Sequence, residues 1–426
     1  MLQAARKSML RAIPLLSASV LLLSACSKSD DAKTDKKNVT ISMMFQQTQF
    51  GDAHEQFIKE FEAAHPQIKV KMEVIPDAGY PGTLQTRIST GDLPDIYQLN
   101  VGIDSAKLAS KAGYIYDLGQ LQASKNYTKS MTGASTLDGK FASFSNGVAV
   151  LGLLYNKDLF REAGYTKPPA TWNELIDAGQ KIKAKGKSLL VYASKWETAA
   201  AYLFHWVFGD YAFKHDDFKQ KYLARTVDFN NPEYKKMLEE GFVKFKELNS
   251  FVRQGSFTNE YAIAQQSFAN GESAMLVGGT WDAASIRQLN PKFELGFMNI
   301  PYSSSEQNSS YIVIPEDGLA LNAKSKHLEE AKTFMEWMYS KEVYAKLNKI
   351  LGNMSGMEGV GALDPAYADV PKWVEQTDRM MPFANTGPVS STAFVELGNA
   401  AQKFTFDNDL NAATDIFIKE YNKTKN

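Results

Sequence analysis

The chain has 426 residues, 47 basic and 48 acidic side chains, a formal net charge of -1 and one cysteine. Near-neutrality excludes the basic field that nucleic acid or an anionic lipid surface would require, and a lone cysteine excludes an internal disulfide framework. The length exceeds what one hydrophobic core organises, so two domains or a two-lobed body are predicted.

At the N-terminus Arg6, Lys7 and Arg11 precede an apolar stretch, Ile13 to Leu23, interrupted by Pro14 and two serines. It is shorter than the roughly 20 residues of a membrane span, and it ends in Leu23-Ser24-Ala25-Cys26, which resembles a lipobox. Residues 1–25 therefore read as a lipoprotein signal peptide, and Cys26 as the lipidated first residue of the mature chain. The polar run SKSDDAKTDKKN makes 26–38 a disordered tether reaching roughly 20 Å. The predicted location is extracytoplasmic and membrane-anchored, at a cell surface or in a periplasm.

Val39 to Phe45 is strand-like, and a helix from about Asp52 to Ala64 presents Phe57, Ile58 and Phe61 on one face before His65-Pro66 stops it. Ile68, Val70, Met72 and Val74 alternate with charged residues as in a half-buried strand. A helix (Gly82 to Thr90), a strand (Asp95 to Leu99) and a helix (Asp104 to Ala112) follow, a strand–helix order that predicts a mainly parallel sheet. Beyond Leu151 come a helix from Asn156 closed by Gly164, a capping box at Thr171-x-x-Glu174, and an apolar run from Leu189 to Tyr192. A helical, aromatic-rich region spans Tyr202 to Glu247. Tyr261 to Asn270 is a helix, Ala274 to Val277 a strand, Gly278-Gly279 a tight turn, and Thr280 an N-cap for a helix starting at Trp281. An amphipathic helix from Leu328 to Tyr339 and helical segments from Ser391 onward complete the chain.

Four motifs, at Gly91-Asp92-Leu93-Pro94-Asp95-Ile96, LLYNKDLFREAG (Leu153 to Gly164), PPATWNEL (Pro168 to Leu175) and FANGESAMLVGGTW (Phe268 to Trp281), with LALNAKSKHLEEAKTFMEWMYS (Leu319 to Ser340) as a fifth, resemble the extracellular solute-binding proteins of carbohydrate ABC transporters. The resemblance covers about 39 to 420. It implies an α/β, two-lobed periplasmic-binding-protein-like fold of type II with a ligand cleft between the lobes. The N-terminal lobe would comprise 39–145 and 315–352, and the C-terminal lobe 146–314 and 353–426. Crossings are expected near Phe141 to Val150, Tyr311 to Leu319 and Ile350 to Ala362. It also implies a carbohydrate ligand, ABC permease subunits as membrane partners, a monomer, and no catalysis or cofactor.

Sugar recognition needs aromatic faces for ring C–H patches and planar polar groups for hydroxyls. Trp281 follows a strand end, where open α/β sheets bind ligands, and matches a family tryptophan that stacks on sugar. Trp196 and Glu197 follow the run ending at Tyr192, an approximate match to an acidic–aromatic pair of the family. Gln46, Gln47 and Gln49 follow the first strand, and Tyr97, Gln98 and Asn100 the third. Tyr80, Asn146, Asp282, Asn353 and Phe394 are further ligand-binding candidates, whereas Trp172 and Trp337 read as core. His54, His65, His205, His215 and His327 show no metal-binding spacing, so no metal is expected. Two other readings remain open: a non-sugar solute-binding protein, and a secreted polysaccharide-processing lipoprotein enzyme.

Overall fold

The computed structural model describes residues 38–76, 79–194, 199–304, 310–351, 354–361, 363–374, 380–381, 388–423 and 425. The predicted signal peptide, Cys26 and all but the last residue of the tether lie outside them. Strand β1 (Val39–Gln46) runs directly into helix α1 (Gln47–Ala64), and β2 (Ile68–Ile75), α2 (Tyr80–Thr90), β3 (Ile96–Leu99) and α3 (Asp104–Lys111) follow. Helix α1 thus begins one turn and more before the predicted Asp52, and Gln47 lies in the helix rather than in a loop after the strand.

Helix α4 (Lys129–Ala134), a hairpin of β4 (Thr136–Leu137) and β5 (Lys140–Phe141), and β6 (Phe144–Ser145) lead to the long β7 (Val148–Asn156). Then come α5 (Lys157–Glu162), α6 (Trp172–Ala184), β8 (Ser188–Val191), α7 (Ala199–Lys214), α8 (Asp216–Leu223), α9 (Pro232–Asn249) and α10 (Tyr261–Ala269). Strand β9 (Ser273–Gly279), α11 (Asp282–Gln288), β10 (Leu295–Met298), β11 (Tyr311–Pro315) and β12 (Gly318–Leu321) come next. The chain ends with α12 (Leu328–Met338), α13 (Lys341–Leu351), α14 (Val370–Val374), β13 (Met380–Met381), α15 (Ser391–Asp407) and α16 (Leu410–Asn422).

Two sheets organise these elements. The first has strand order β2-β1-β3-β12-β6, the second β13-β11-β7-β9-β8 with β10 also on β7. In the first, β1 pairs in parallel with β2 and β3. The alternating Lys69, Lys71 and Glu73 lie on the edge strand β2, where exposed charges oppose pairing with another chain. In the second, every residue of β7 is buried, as its near-continuous apolar run requires of a central strand. Helix α7 is buried around most of its circumference, packed among α8, α9, α15 and β9. The Thr171–Glu174 capping box is present at the start of α6.

At their junction the two sheets share crossing segments. Pro315, Ile314 and Val313 of β11 pair with Val148, Ala149 and Val150 of β7, and after two intervening residues Gly318 and Leu319 of β12 pair with Ser145 and Phe144 of β6. Between these pairings the Glu316 amide donates to the Gly147 carbonyl at 2.9 Å. A third segment of chain joins where the Val148 amide donates to the Met354 carbonyl at 2.8 Å. The two-lobed α/β architecture is therefore carried by antiparallel segments that belong to both sheets.

Candidate functional site

The C-terminal ends of β1 and β3 form one wall. Gln98, on β3, is 1% exposed, and its Nε2 donates to Gln46 Oε1 at 2.8 Å and to Asp317 Oδ2 at 2.6 Å, while its Oε1 accepts from the Gln46 amide at 2.8 Å. Asn100 Nδ2 donates to the other carboxylate oxygen of Asp317 at 2.8 Å. Asp317 comes from the crossing segment between β11 and β12, so a carboxylate from 219 residues away fixes the fan of amides at the strand ends. Asn146, on the opposite crossing segment, donates from Nδ2 to the Asp317 carbonyl and accepts from Tyr339 OH, so both ends of its amide are engaged.

A second wall is built at the end of β9. Gly278 and Gly279 are not a turn: they are the last residues of the strand, paired with Gly152 and Leu151 of β7. Their missing side chains make room for the side chains of Trp281 and Asp282, which fold back over the strand. A Cβ on Gly279 would lie 2.2 Å from Cζ3 of the Trp281 ring, and one on Gly278 would lie 1.9 Å from Asp282 Oδ2. The half-buried Trp281 occupies the N-cap position, and α11 starts at Asp282. Trp281 Nε1 donates to Tyr261 OH at 3.1 Å; that hydroxyl donates in turn to the Asp282 carboxylate, at 2.6 and 2.7 Å from its two oxygens. Gln265 Nε2 and the Gly279 amide, both at 2.9 Å, complete the donors to Asp282.

Glu316, in the crossing segment between β11 and β12, is 5% exposed. Burial pushes its carboxyl up to about 8, with the charges of Asp317 and Asp282 adding to the shift and the Asp317 amide opposing it. Burial also pushes Asp282 up to about 6, against the donors from Tyr261, Gly279 and Gln265. Asp282 and Glu316 are thus linked electrostatically across the junction.

Of the candidates from sequence, the structure brings Gln46, Asn100 and Asn146 to the first wall and Trp281 and Asp282 to the second. Asp282 is fully buried, so it braces the site from behind rather than facing a ligand. Tyr80 is 4% exposed and donates its hydroxyl to the Gln98 carbonyl at 2.7 Å, which makes it core support beneath the wall. Phe394 is 1% exposed and packs beside Tyr202 inside the second lobe, because its helix α15 turns that face toward α7. Tyr97 is likewise core, fully buried. Trp196, Glu197, Asn353 and the side chains of Gln47 and Gln49 lie outside the described positions.

Sequence reasoning misses Asp317, Glu316 and Tyr261. The acidic pair interrupting the apolar runs YIVIP and GLAL is a usable signal, as is the i,i+4 spacing that lets Tyr261 and Gln265 reach one carboxylate. Among the described residues no group of three His, Cys, Asp or Glu side chains is arranged to hold a metal ion. An aromatic face at one strand end and a fan of carboxylate-anchored amides at another are the two kinds of group that a neutral, hydroxyl-rich ring needs.

Comparison with known proteins points the same way. Residues 46–345 match the family described as bacterial extracellular solute-binding protein. The chain is similar to the multiple sugar-binding protein of Streptococcus mutans serotype c, 29% identical over 351 residues covering 80% of each chain. Among solved structures, that of the solute-binding protein RafE in complex with raffinose superposes with a TM-score of 0.77 at 23% identity, over 91% of this chain and 100% of that one. A chitin oligosaccharide binding protein superposes with a TM-score of 0.77 at 18% identity, over 91% and 99% of the two chains.

Proposed function

The chain belongs to the bacterial extracellular solute-binding protein family, and we propose that it captures a sugar or oligosaccharide in the cleft between its lobes and delivers it to the permease subunits of an ABC importer. One observation carries this reading: the Trp281 ring and the Gln46–Gln98–Asn100–Asp317 fan stand at strand ends of two different sheets, joined by the ladder on which the lobes would hinge. Relatives named for multiple sugars, raffinose and chitin oligosaccharides support a carbohydrate as the ligand class. Those relatives are binding proteins, which supports a receptor that binds and releases without chemistry on the sugar. The lobes would divide as 39–145 with 315–352 and 146–314 with 353–426, and a monomer suffices because both walls come from one chain.

Calorimetry against raffinose, stachyose and chitin oligosaccharides tests the reading; heat release with none of a broad glycan panel would sink it. Trp281→Ala should weaken sugar binding by about 2 kcal/mol, near 30-fold, because stacking and apolar contact disappear together. Thermal stability should change far less, since Trp281 is only half-buried. A large fall in melting temperature at unchanged affinity would return the ring to packing.

The Leu23-Ser24-Ala25-Cys26 tetrapeptide supports anchoring by lipid at Cys26. Cys26→Ala is expected to leave a folded, ligand-competent protein that appears in the soluble extracytoplasmic fraction. Retention in salt-washed membranes would overturn the anchor.

A further inference from the structure

We propose that Asp282, acting through Tyr261, is the positioning residue that sets the plane of the Trp281 indole for stacking. This rests on Trp281 being the sugar platform, and it adds what holds that platform still.

A tryptophan ring at a strand end has two torsions to fix. Packing against Gly279 restricts one side of it, since the ring atoms Cζ3, Cη2 and Cε3 all fall within 2.5 Å of where a Cβ there would stand. A flat backbone surface still lets a ring slide or flip. The directional bond from Nε1 to Tyr261 OH at 3.1 Å restricts that freedom. Because the indole N–H is the donor, the phenol must accept from it and direct its own proton elsewhere. Asp282 takes that proton, so the carboxylate decides which way the phenol points. Asp282 is in turn held by Gln265 from the same helix as Tyr261 and by the Gly279 amide from the strand under the ring. The triad therefore ties helix α10, strand β9 and the start of α11 to one atom of the indole.

Burying a carboxylate with no cation among its described hydrogen-bond partners is expensive, and a neutral acceptor would suffice if the Gly279 amide were the one donor to be met. A carboxylate offers what that amide does not require: acceptor capacity for the phenol and Gln265 at the same time. Gly278 keeps the space that lets it do so.

The test is a double-mutant cycle with a ligand-free readout beside it. With raffinose and chitin oligosaccharides as probes, Tyr261→Phe is expected to weaken the binding seen in the parent by about fivefold, the worth of one neutral hydrogen bond. In a Trp281→Phe background the same change should have almost no further effect, because there is no indole left to orient. An equal loss in both backgrounds would mean that Tyr261 touches the sugar itself and would overturn the proposal. In the free protein, the indole N–H resonance of Trp281 in a 15N-labelled sample, assigned by its loss in Trp281→Phe, should move upfield in Tyr261→Phe and also shift in Asp282→Asn. An indole signal unmoved by Asp282→Asn would sink the role of the carboxylate. This arm needs no ligand, so it decides the positioning role even if every sugar in the panel fails to bind, which would count against the function and not against the triad.

Discussion

Replacing Glu316 with glutamine is expected to make the protein markedly more stable than its parent at pH 8 and above, with little difference at pH 4.5. The carboxyl is pushed from 4.5 up to about 8 in the folded chain, chiefly by burial and secondarily by Asp317 and Asp282. A folded-state value above the unfolded one means that the native protein keeps a proton which the unfolded chain gives up. The associated stability is complete below about pH 4.5 and is lost as the pH rises toward 8, at about 1.4 kcal/mol per pH unit. Over that window the loss approaches roughly 4 to 5 kcal/mol as an upper bound. Glutamine keeps the shape, carries no charge and escapes the loss. Asp282, pushed up to about 6, contributes a smaller fall of the same sign between 3.8 and 6 that the variant retains. Urea midpoints at pH 5 and pH 8.5 measure the difference, and parallel pH profiles for parent and variant would show that the hinge carboxyl is hydrated after all.

Gly318→Ala should be among the most damaging single-methyl additions in the chain. Its Cβ would stand 2.0 Å from the Phe144 carbonyl oxygen and 2.6 Å from the Ser145 Cα, both backbone atoms of the partner strand β6. Side chains can swing away; paired backbone cannot, so the strands must separate where the ladder passes from one sheet to the other. A loss of at least about 3 kcal/mol is expected, at the upper end for overpacking. Gly278→Ala is the control, because its clash is with the Asp282 side chain, which can rotate away at the cost of its hydrogen bonds. Thermal melts of the two variants should rank Gly318→Ala lower, and the reverse order would place the strain in the β9 end instead of the hinge.

What can be read from the sequence divides by the range of its cause. The Thr171–Glu174 capping box and the core position of Trp172 rest on neighbours within a turn or on a strong apolar pattern, and both are as expected. Gly278-Gly279 reads as a turn because two glycines usually punctuate a chain. Their cause is instead the return of two bulky side chains over the strand, which no local pattern reports. Gln46 and Asn100 are legible as polar residues at strand ends, yet the carboxylate that organises them lies more than 200 residues downstream. Tyr80 and Phe394 show the opposite limit. An aromatic near a strand end or on a helix carries no mark of which face it presents, and here both faces point inward.

The place of β12 has a consequence for how the chain is made. This strand sits between β3 and β6 in the first sheet, although it is translated some 200 residues after β3, its Gly318 pairing with Leu99. A nascent chain that has released β1, β2, β3 and β6 therefore holds the β2-β1-β3 group and a lone β6 with nothing to join them, and the edge of β3 stays open. Such late, long-range closure slows folding and prolongs exposure of that edge. Fragments ending before Leu321 cannot complete even the lobe that their own residues begin, so the unit of folding is nearly the whole polypeptide, and the order of synthesis is not the order of assembly.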